Sequence, residues 1–241
     1  MHTRRWIAFA VSTLSLVTVV GIASAAATPQ QKCETTKLKA LGKVRACLLK
    51  QRGNVILGKT DESAECLSKF QGAIDKADAK AAAALTSCRY IVDGDGTLSD
   101  LNTGLRWEQK DDAGGVHDKD NAYSWGATNA PDGTIFTSFL YGLNGATSND
   151  GVSAGTACFA GYCDWRIPTV QEFAAILTDE IGCGPCVNAA FGTPQNDHDW
   201  AATTVTDDPS RAWIGAMNGG VVTHVPKTAG PVYGLAVRGG L

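Results

Sequence analysis

The residues best suited to ligand chemistry are three carboxylates in an acidic, glycine-rich stretch. Asp93, Asp95 and Asp100 occupy positions 1, 3 and 8 of this stretch, and hard oxygen ligands on a glycine-rich turn suit Ca²⁺. An EF-hand loop is excluded because its twelfth position, which requires a Glu, is Gly104. The other interpretation is a hairpin turn in which Asp and Gly satisfy the backbone. The hairpin turn is favoured, and Ca²⁺ is the only candidate cofactor.

A second candidate is the Cys-Gly-Pro-Cys sequence from Cys183 to Cys186, which has the form of a thiol redox motif. Redox chemistry requires the first cysteine at the N-terminus of a helix that follows a strand, where the pKa of its thiol is lowered. Here the pair follows the end of a short predicted helix and precedes residues 188–192. A structural disulfide is therefore predicted, with a thiol oxidoreductase as a minor alternative.

The rest of the sequence offers little that is arranged for catalysis. His198 lies between Asp197 and Asp199 and could supply an imidazole beside carboxylate ligands, but no His-x-x-x-His or similar spacing supports Zn²⁺. Nucleophile-elbow, P-loop and dinucleotide-binding patterns are missing. These features predict a protein that is not an enzyme.

The N-terminal residues have the pattern of a signal peptide. Arg4 and Arg5 precede the apolar segment 6–22, and the small residues 23–25 form a cleavage site. The apolar segment is short and interrupted by Ser and Thr, so no stable membrane span is expected after cleavage. The mature protein is predicted to be exported, to a periplasmic, extracellular or cell-surface location.

Cysteines and charges divide the mature chain at the same place. Four of the eight cysteines precede residue 89 and four follow it, and an even number in an exported chain favours disulfides. Residues 26–88 contain 11 Lys/Arg and 6 Asp/Glu, a formal charge of +5, whereas residues 89–241 contain 8 and 18, a formal charge of −10. The predicted organisation is a signal peptide (1–25), a helical hairpin (26–88) and a second domain (89–241), with no nucleic-acid partner.

The basic region is rich in Lys, Ala and Leu, which are good helix formers. It predicts helices over residues 33–51 and from about 61 to 86, separated by a glycine-containing break. One interpretation is a structural spacer. The other is a basic face for an anionic surface or glycan, formed by Lys37, Lys39, Lys43, Arg45 and Lys50.

The cysteine spacing indicates how the two helices are joined. Cys33 and Cys47 lie nearly on one helix face, and so do Cys66 and Cys88. Antiparallel packing then predicts the disulfides Cys33–Cys88 and Cys47–Cys66. Because the two spans differ by eight residues, one helix end is expected to fray or bend.

The acidic region has short apolar runs between turn signals and is rich in Gly, Asn, Asp and Thr. Strands are predicted at residues 90–92, 105–107, 200–205, 211–215, 221–225 and 233–238, and helices at 120–125 and 169–177. Strands combined with a few short helices and long polar loops predict a compact α+β domain.

The most informative segment of this region surrounds a helix start. Pro168 fixes the backbone before Thr169, which caps the predicted helix, and Glu172 completes a Thr-x-x-Glu capping box. Trp165 and Arg166 immediately precede this turn. The segment is interpreted as scaffold that separates two variable loop regions.

Four segments of the acidic region are similar, in order, to motifs of the Lcl C-terminal domain family. They are residues 95–107 (DGTLSDLNTGLRW), 158–169 (CFAGYCDWRIPT), 200–204 (WAATT, with two Ala in place of Ser) and 237–240 (VRGG). The resemblance runs from about residue 91 to 241. It implies a C-type-lectin-like fold and an exported or surface protein of the kind that acts in adhesion and glycan binding, although a fold alone does not determine function.

A set of residues, most of them within the resembling segments, is interpreted as fold motif rather than binding site. The tryptophans are expected mostly in the core, and the two arginines are expected to pair with buried carboxylates such as Asp164. The set comprises Trp107, Trp165, Arg166, Pro168, Thr169, Glu172, Trp200, Trp213 and Arg238.

Two connectivities are open for the C-terminal cysteines. Cys158 and Cys163 could pair locally, as could Cys183 and Cys186, or two crossed bridges could join the loops. The local pairs are favoured.

The leading functional hypothesis is an exported, non-catalytic binding or adhesion protein that recognises a glycan or a cell-surface protein partner. The ligand surface is expected in the loops at 111–157 and 193–210. Sugar motifs of calcium lectins are missing, which argues against Ca²⁺-dependent binding of monosaccharides, and the charge of −10 argues against a broad grip on sulfated glycans. The alternative is a structural or assembly component of the cell envelope.

Overall fold

The computed structural model describes residues 26–84, 88–126, 130–145, 158–178, 183–230 and 232–240. The predicted signal peptide lies outside these ranges. The described residues form an N-terminal helical pair and a C-terminal module with two small antiparallel sheets, which confirms the α+β class. None of the helices in this part of the chain combines the length and apolar character needed to cross a bilayer.

The helical pair consists of α1 (Pro29–Ile56) and α2 (Ser63–Ala83). Thr28 caps α1 in a capping box with Gln31. Pro29 suits the first helical position, because an amide hydrogen there would have no partner within the helix. Of the two glycine positions predicted to break the helix, Gly53 lies within α1, which continues to Ile56. Gly58 does break it, and its φ of 69° belongs to the left-handed region.

Both predicted hairpin disulfides are present. Cys33 bonds to Cys88 and Cys47 bonds to Cys66. The mismatch in span is resolved at the end of α2, which stops at Ala83 and leaves Cys88 outside the helix. Cross-links of this kind stabilise a module with a thin core by restricting the unfolded chain.

The hairpin is anchored to the C-terminal module through its buried side. Leu101 has no exposed surface and packs in the hairpin core with Leu41 and Ile74. Beside it, the fully buried Lys37 forms an ion pair with Asp78 at 2.5 Å and donates a hydrogen bond to Asn102. The prediction that Lys37 belongs to a solvent-facing basic face is therefore wrong. The other four cations of that set are exposed: Lys39, Lys43, Arg45 and Lys50.

The first sheet joins the beginning and the end of the C-terminal module. Its strands are β1 (Tyr90–Val92), β2 (Thr97–Asp100), β3 (Leu105–Glu108) and β7 (Val237–Gly239), in the order β1-β2-β3-β7 and all antiparallel. Strand β2 is not among the predicted strands. The strand predicted at 233–238 is too long, since β7 begins only at Val237.

The second sheet contains β4 (His198–Thr204), β5 (Arg211–Ala216) and β6 (Val221–Pro226). Helix α4 (Val170–Ile176) packs against β5. The predicted capping box is present, since the Thr169 hydroxyl accepts from the Glu172 amide and the Glu172 carboxylate accepts from the Thr169 amide. Close packing requires glycine at 215, where an added Cβ would lie 2.6 Å from the Phe173 ring.

The helix predicted at residues 120–125 is absent from the structure. The amides in this segment are bound by distant partners, since Tyr123 donates to the Val232 carbonyl and Ser124 donates to the Thr134 hydroxyl. Helical structure occurs further along, as a π-helical segment (Ile135–Leu140) that continues into the short α3 (Tyr141–Leu143). Single 3₁₀ turns lie at Phe159–Gly161 and Ala189–Phe191.

The tryptophans form the interior of the C-terminal module, as predicted. Trp125, Trp165 and Trp200 belong to one core cluster and Trp107 to a second one, and all four are buried. Three of them donate an indole hydrogen bond to a backbone carbonyl. Trp213 is half-buried.

A set of charged groups is also enclosed in this interior. The buried Glu108 carboxylate accepts from Lys110 and from Nδ1 of His117, both at 2.9 Å, and from the Ala236 amide. Asp199 is buried nearby, and its Oδ2 has no hydrogen-bond partner among the described residues. Burial raises the pKa of Asp199 to about 7; Lys110 opposes this rise, whereas Glu108 adds to it.

Replacement of Leu101 tests whether the two modules share a core. Leu101→Ala should lower the free energy of unfolding by about 3 kcal/mol, because it removes a fully buried side chain and leaves a cavity. Denaturant unfolding of the mature protein would measure the change. Leu67→Ala is the control, since Leu67 is 41% exposed, and it should cost less than about 1 kcal/mol. Equal losses in the two variants would contradict a shared core.

The raised pKa of Asp199 predicts a specific pH dependence. The folded state favours the protonated carboxyl of Asp199. The full free energy of unfolding is therefore present below the ordinary pKa of 3.8, and part of it is lost as pH rises towards 7. Asp199→Asn cannot ionise. The free energy of unfolding of this variant should equal that of the wild type near pH 4. At pH 8 it should be higher than that of the wild type by up to roughly 4 kcal/mol.

Urea unfolding at a series of pH values would measure the difference between the variant and the wild type. Asp207→Asn, at an exposed carboxylate, is the control and should show a difference that does not change with pH. A gap between Asp199→Asn and wild type that is constant from pH 4 to 8 would contradict the assignment.

Candidate binding cleft

A cleft separates α1 from the outer face of the first sheet. Its volume is about 660 Å³. Leu38, Leu41 and Arg45 line it from the hairpin, and the sheet and the loop before α4 form the opposite wall. That wall includes Arg106, Tyr162 and Arg238.

Strand pairing places two of these arginines side by side. Arg106 on β3 and Arg238 on β7 are direct partners across the antiparallel ladder, so their side chains leave the same face of the sheet. Their neighbours Trp107 and Val237 point to the opposite, buried face. The cleft wall is therefore the polar face of a sheet whose other face is core.

Tyr162 holds the two guanidinium groups in place. The Arg238 guanidinium carbon lies 3.6 Å from the centre of the Tyr162 ring, and that of Arg106 lies 5.0 Å from it. Both are cation–π distances. Like charges opposite each other on adjacent strands repel, and the shared aromatic ring offsets part of that repulsion.

The two arginines differ in how fully their charge is balanced. Arg238 donates from Nε and Nη2 to the two oxygens of Asp164, at 2.6 and 3.1 Å, and this hydrogen bonding lowers the pKa of Asp164. Arg106 lies 3.6 Å from an Asp93 oxygen and 3.5 Å from an Asp95 oxygen, distances that are long for hydrogen bonds. Arg106 therefore keeps donor capacity for a ligand.

The hairpin supplies a third guanidinium. Arg45 is exposed on α1, and its Nη2 donates to the Gly104 carbonyl at 3.3 Å. This bond joins α1 to the residue that precedes β3, and both residues line the cleft. Three guanidinium groups thus line one cleft beside the apolar side chains of Leu38 and Leu41.

Of the three carboxylates considered for calcium, Asp93 and Asp95 lie together at the Thr97 hydroxyl, whereas Asp100 has a different partner. Asp93 accepts from the hydroxyls of Thr97 and Ser99, and Asp95 accepts from the Thr97 amide. The buried Asp100 is instead held by Nε and Nη2 of Arg89. These contacts favour the hairpin turn, and a calcium site stays a prediction that rests on Asp93 and Asp95.

A different acidic trio lies in the loop that follows Lys110. Oxygens of Asp112, Asp118 and Asp120 come within 4.8 Å of one another. Lys119 forms ion pairs with Asp112 and Asp120, and the Asp118 oxygens accept from backbone amides. The three carboxylates are therefore already engaged, by one lysine and two backbone amides.

All eight cysteines lie in the described part of the chain, and none is free. The C-terminal pairs are local, Cys158–Cys163 and Cys183–Cys186, so the favoured connectivity is confirmed. Cys186 is fully buried, and its amide donates to the Met217 carbonyl. Cys183 lies in a loop rather than at a helix N-terminus, an environment that favours a structural bridge over a redox centre.

The predicted arginine partners are partly right. Arg238 pairs with Asp164, although the Asp164 side chain is 60% exposed and not buried. Arg166 pairs with Glu172 instead, at 2.6 Å, which ties the capping box to the segment before it. This bond raises the pKa of Arg166, and together with the Thr169 bonds it outweighs burial to lower the pKa of Glu172.

The cleft itself is not predicted by the sequence. Arg106 and Tyr162 lie within the family motifs, and Arg45 is one of several hairpin cations. The one available signal was the alternation along β3, where Arg106 lies between the apolar Leu105 and Trp107. That β3 lies beside β7 could not be read from either strand.

The two loop regions predicted to carry the ligand surface are only partly described. Residues 127–129 and 146–157 of the first region lie outside the described ranges. The second region contains β4, whose residues Trp200 and Ala201 are fully buried. Its central part is therefore core, and the expectation for the first region stays a prediction.

Comparison with known proteins identifies the C-terminal module. Residues 96–238 match the family model of the Lcl C-terminal domain. No curated protein and no solved structure gives a significant match. The family match covers more than half of the 241 residues and includes Arg106, Tyr162 and Arg238. The chain therefore belongs to the Lcl C-terminal domain family.

Proposed function

We propose that this protein is an exported, non-catalytic binding protein that recognises an anionic glycan in the cleft between α1 and the first sheet. The single observation that carries this proposal is the arrangement of Arg106 and Arg238 on one tyrosine ring, facing Arg45 across the cleft. Four disulfides fit the oxidising environment that an exported protein meets.

The chemistry of the cleft favours a carboxylated sugar. A guanidinium group presents paired donors that match the two oxygens of a carboxylate. Arg106 has donors that Asp93 and Asp95 do not reach at good hydrogen-bond distance. The apolar side chain of Leu38, which is 52% exposed, offers a surface for the less polar face of a sugar ring.

The acidic character of the C-terminal module does not prevent this recognition. Its formal charge of −10 is spread over a domain, and charges beyond about 10 Å are screened at moderate salt. The cleft is also lined by the basic hairpin, which has a formal charge of +5. The proposal therefore predicts short-range selection of a carboxylate rather than long-range attraction of polyanions.

A glycan array would test the proposal with the mature protein. Carboxylated glycans should bind in preference to their neutral counterparts. Arg106→Gln should weaken the binding about tenfold, because it removes a charge-assisted hydrogen bond. Lys80→Gln, which changes the charge equally at an exposed position away from the cleft, should leave the binding within about twofold.

Two outcomes would count against these assignments. If no glycan binds, or if Arg106→Gln binds as well as the wild type, the cleft is not a glycan site. The first of these results would favour the alternative, an envelope component that packs against a protein partner. Binding that a chelator leaves unchanged would remove the calcium hypothesis for Asp93 and Asp95 while leaving the glycan proposal intact.

A further inference from the structure

A groove runs between the two helices of the hairpin, on a side that the C-terminal module does not cover. Two depressions of about 400 and 380 Å³ follow one another along the helices and share Thr36 in their walls. All the described residues that line them belong to the hairpin. The module packs elsewhere, where Leu101 joins the cluster of Leu41 and Ile74. The two depressions together are called the hairpin groove.

The floor of the groove is apolar and lies close to the helix backbones. Val44 and Phe70 are buried in the first depression, and Ala77 is buried in the second. Both walls are α-helices, whose backbone groups bond within the helix. An extended chain on this floor would bury amides and carbonyls without partners. A helix satisfies its own backbone, so the floor favours a helical occupant.

Lysines line the groove on both sides. They are Lys32, Lys39 and Lys43 on α1 and Lys69, Lys76 and Lys80 on α2, and all six are exposed. Lys69 alone among them forms an ion pair within the described part of the chain. The two sets of lining residues contain no carboxylate. Five lysine charges in the groove are therefore left without an ion-pair partner among the described residues.

The acidic residues of the hairpin do not neutralise these five lysines. At the end near the Cys47–Cys66 disulfide, Glu65 pairs with Lys69 at 2.6 Å, and the exposed Asp61 and Glu62 precede it. The other carboxylates of the two helices have partners outside the groove. Gln30 donates to Glu34, Gln71 donates to Asp75, and Lys37 pairs with Asp78. The groove is thus mixed in charge at one end and basic along the rest of its length.

The length of the groove sets the size of its occupant. The lining residues of α1 extend from Pro29 to Cys47, a distance of about 27 Å at the α-helical rise. A helix of about 18 residues has this length. A third helix laid into the groove of an antiparallel pair is the arrangement of helical bundles and of helix-in-groove recognition. The lysine side chains would extend the apolar contact with their stems and leave their ammonium groups beside the flanks of the bound helix.

We propose that the hairpin groove binds an amphipathic helix of a protein partner, with its apolar stripe on the floor and with Asp or Glu on both flanks against the lysines. A second copy of the hairpin is a poor occupant, because its formal charge is also positive, at +5. The inference is independent of the glycan proposal, since none of the residues that line the groove lines the cleft.

Fluorescence anisotropy with a labelled synthetic peptide would test the proposal on the full mature chain. The probe is an 18-residue peptide with Leu and Ala at helical spacing and Glu on both flanks. It should bind the protein, and added salt should weaken the binding. One control peptide has Ser in place of Leu and Ala, and another has Lys in place of Glu. Both should bind at least about tenfold more weakly, because each lacks one of the two complementary features.

Two neighbouring threonines of α1 provide a matched pair for a steric test. Thr36 lies in the wall shared by the two depressions, whereas Thr35 lines neither. Both are exposed, and the hydroxyl of each donates to the carbonyl four residues earlier. Thr36→Trp should obstruct the groove and weaken peptide binding at least about tenfold. Thr35→Trp adds the same bulk outside the groove and should stay within about twofold of the wild type.

A second pair of variants tests the charge contribution. Lys39→Glu combined with Lys76→Glu places two carboxylates in the groove, one on each helix. This variant should bind the acidic peptide at least about tenfold more weakly and with less dependence on salt. Arg52→Glu combined with Lys59→Glu makes the same change in net charge at exposed positions that do not line the groove. It should have a much smaller effect.

Three results would overturn the proposal: no binding of the amphipathic peptide, equal binding by Thr36→Trp and Thr35→Trp, or equal binding of the amphipathic and the Ser-substituted peptides. The last would show that the lysines attract any anionic chain. Because the replaced residues are exposed, unchanged thermal unfolding would show that the variants are folded. Glycan binding should be the same in Thr36→Trp as in the wild type, so failure of either proposal can be recognised without the other.

Discussion

The antiparallel pairing of β3 with β7 is the constraint on which the C-terminal module depends. It joins residues that are 130 or more positions apart, with Leu105 opposite Gly239 and Trp107 opposite Val237. On one face this pairing completes a core around Trp107. On the other it places Arg106 beside Arg238, which is unfavourable for two cations alone. The cleft wall is thus a consequence of joining the beginning and the end of the module in one sheet. Tyr162 and Asp164 offset the repulsion between the two arginines.

A second constraint is the attachment of the hairpin. Burying a lysine removes its hydration, a cost of several kcal/mol that only good partners offset. Lys37 has such partners in Asp78 and Asn102, one from each module, and it lies beside the buried Leu101. Loss of either module would leave this charge without part of its hydrogen bonding. The hairpin is therefore held at a defined position, which is what allows Arg45 to reach the Gly104 carbonyl and line the cleft.

Features with local causes could be predicted from the sequence. The helix periodicity of the cysteines predicts Cys33–Cys88 and Cys47–Cys66, and the Thr169–Glu172 capping box predicts the start of α4. Features decided by distant partners could not. The amides of Tyr123 and Ser124 bind Val232 and Thr134, so the segment predicted to be helical is not a helix. Arg106 and Arg238 likewise lie side by side only because the third strand pairs with the last one.

The segment that identifies the family is both scaffold and wall of the cleft. Trp165 is buried, and Thr169 with Glu172 begins α4, so these residues position the backbone. Tyr162 and Asp164 belong to the same run of residues but contact Arg238 on the cleft face. A rigid turn held by core packing on one side is well suited to fix a recognition group on the other, because its side chains are placed before any ligand arrives. Ligand preference would then vary with the element that lies across the cleft from this wall. In this chain that element is the hairpin, with Arg45 and Leu38.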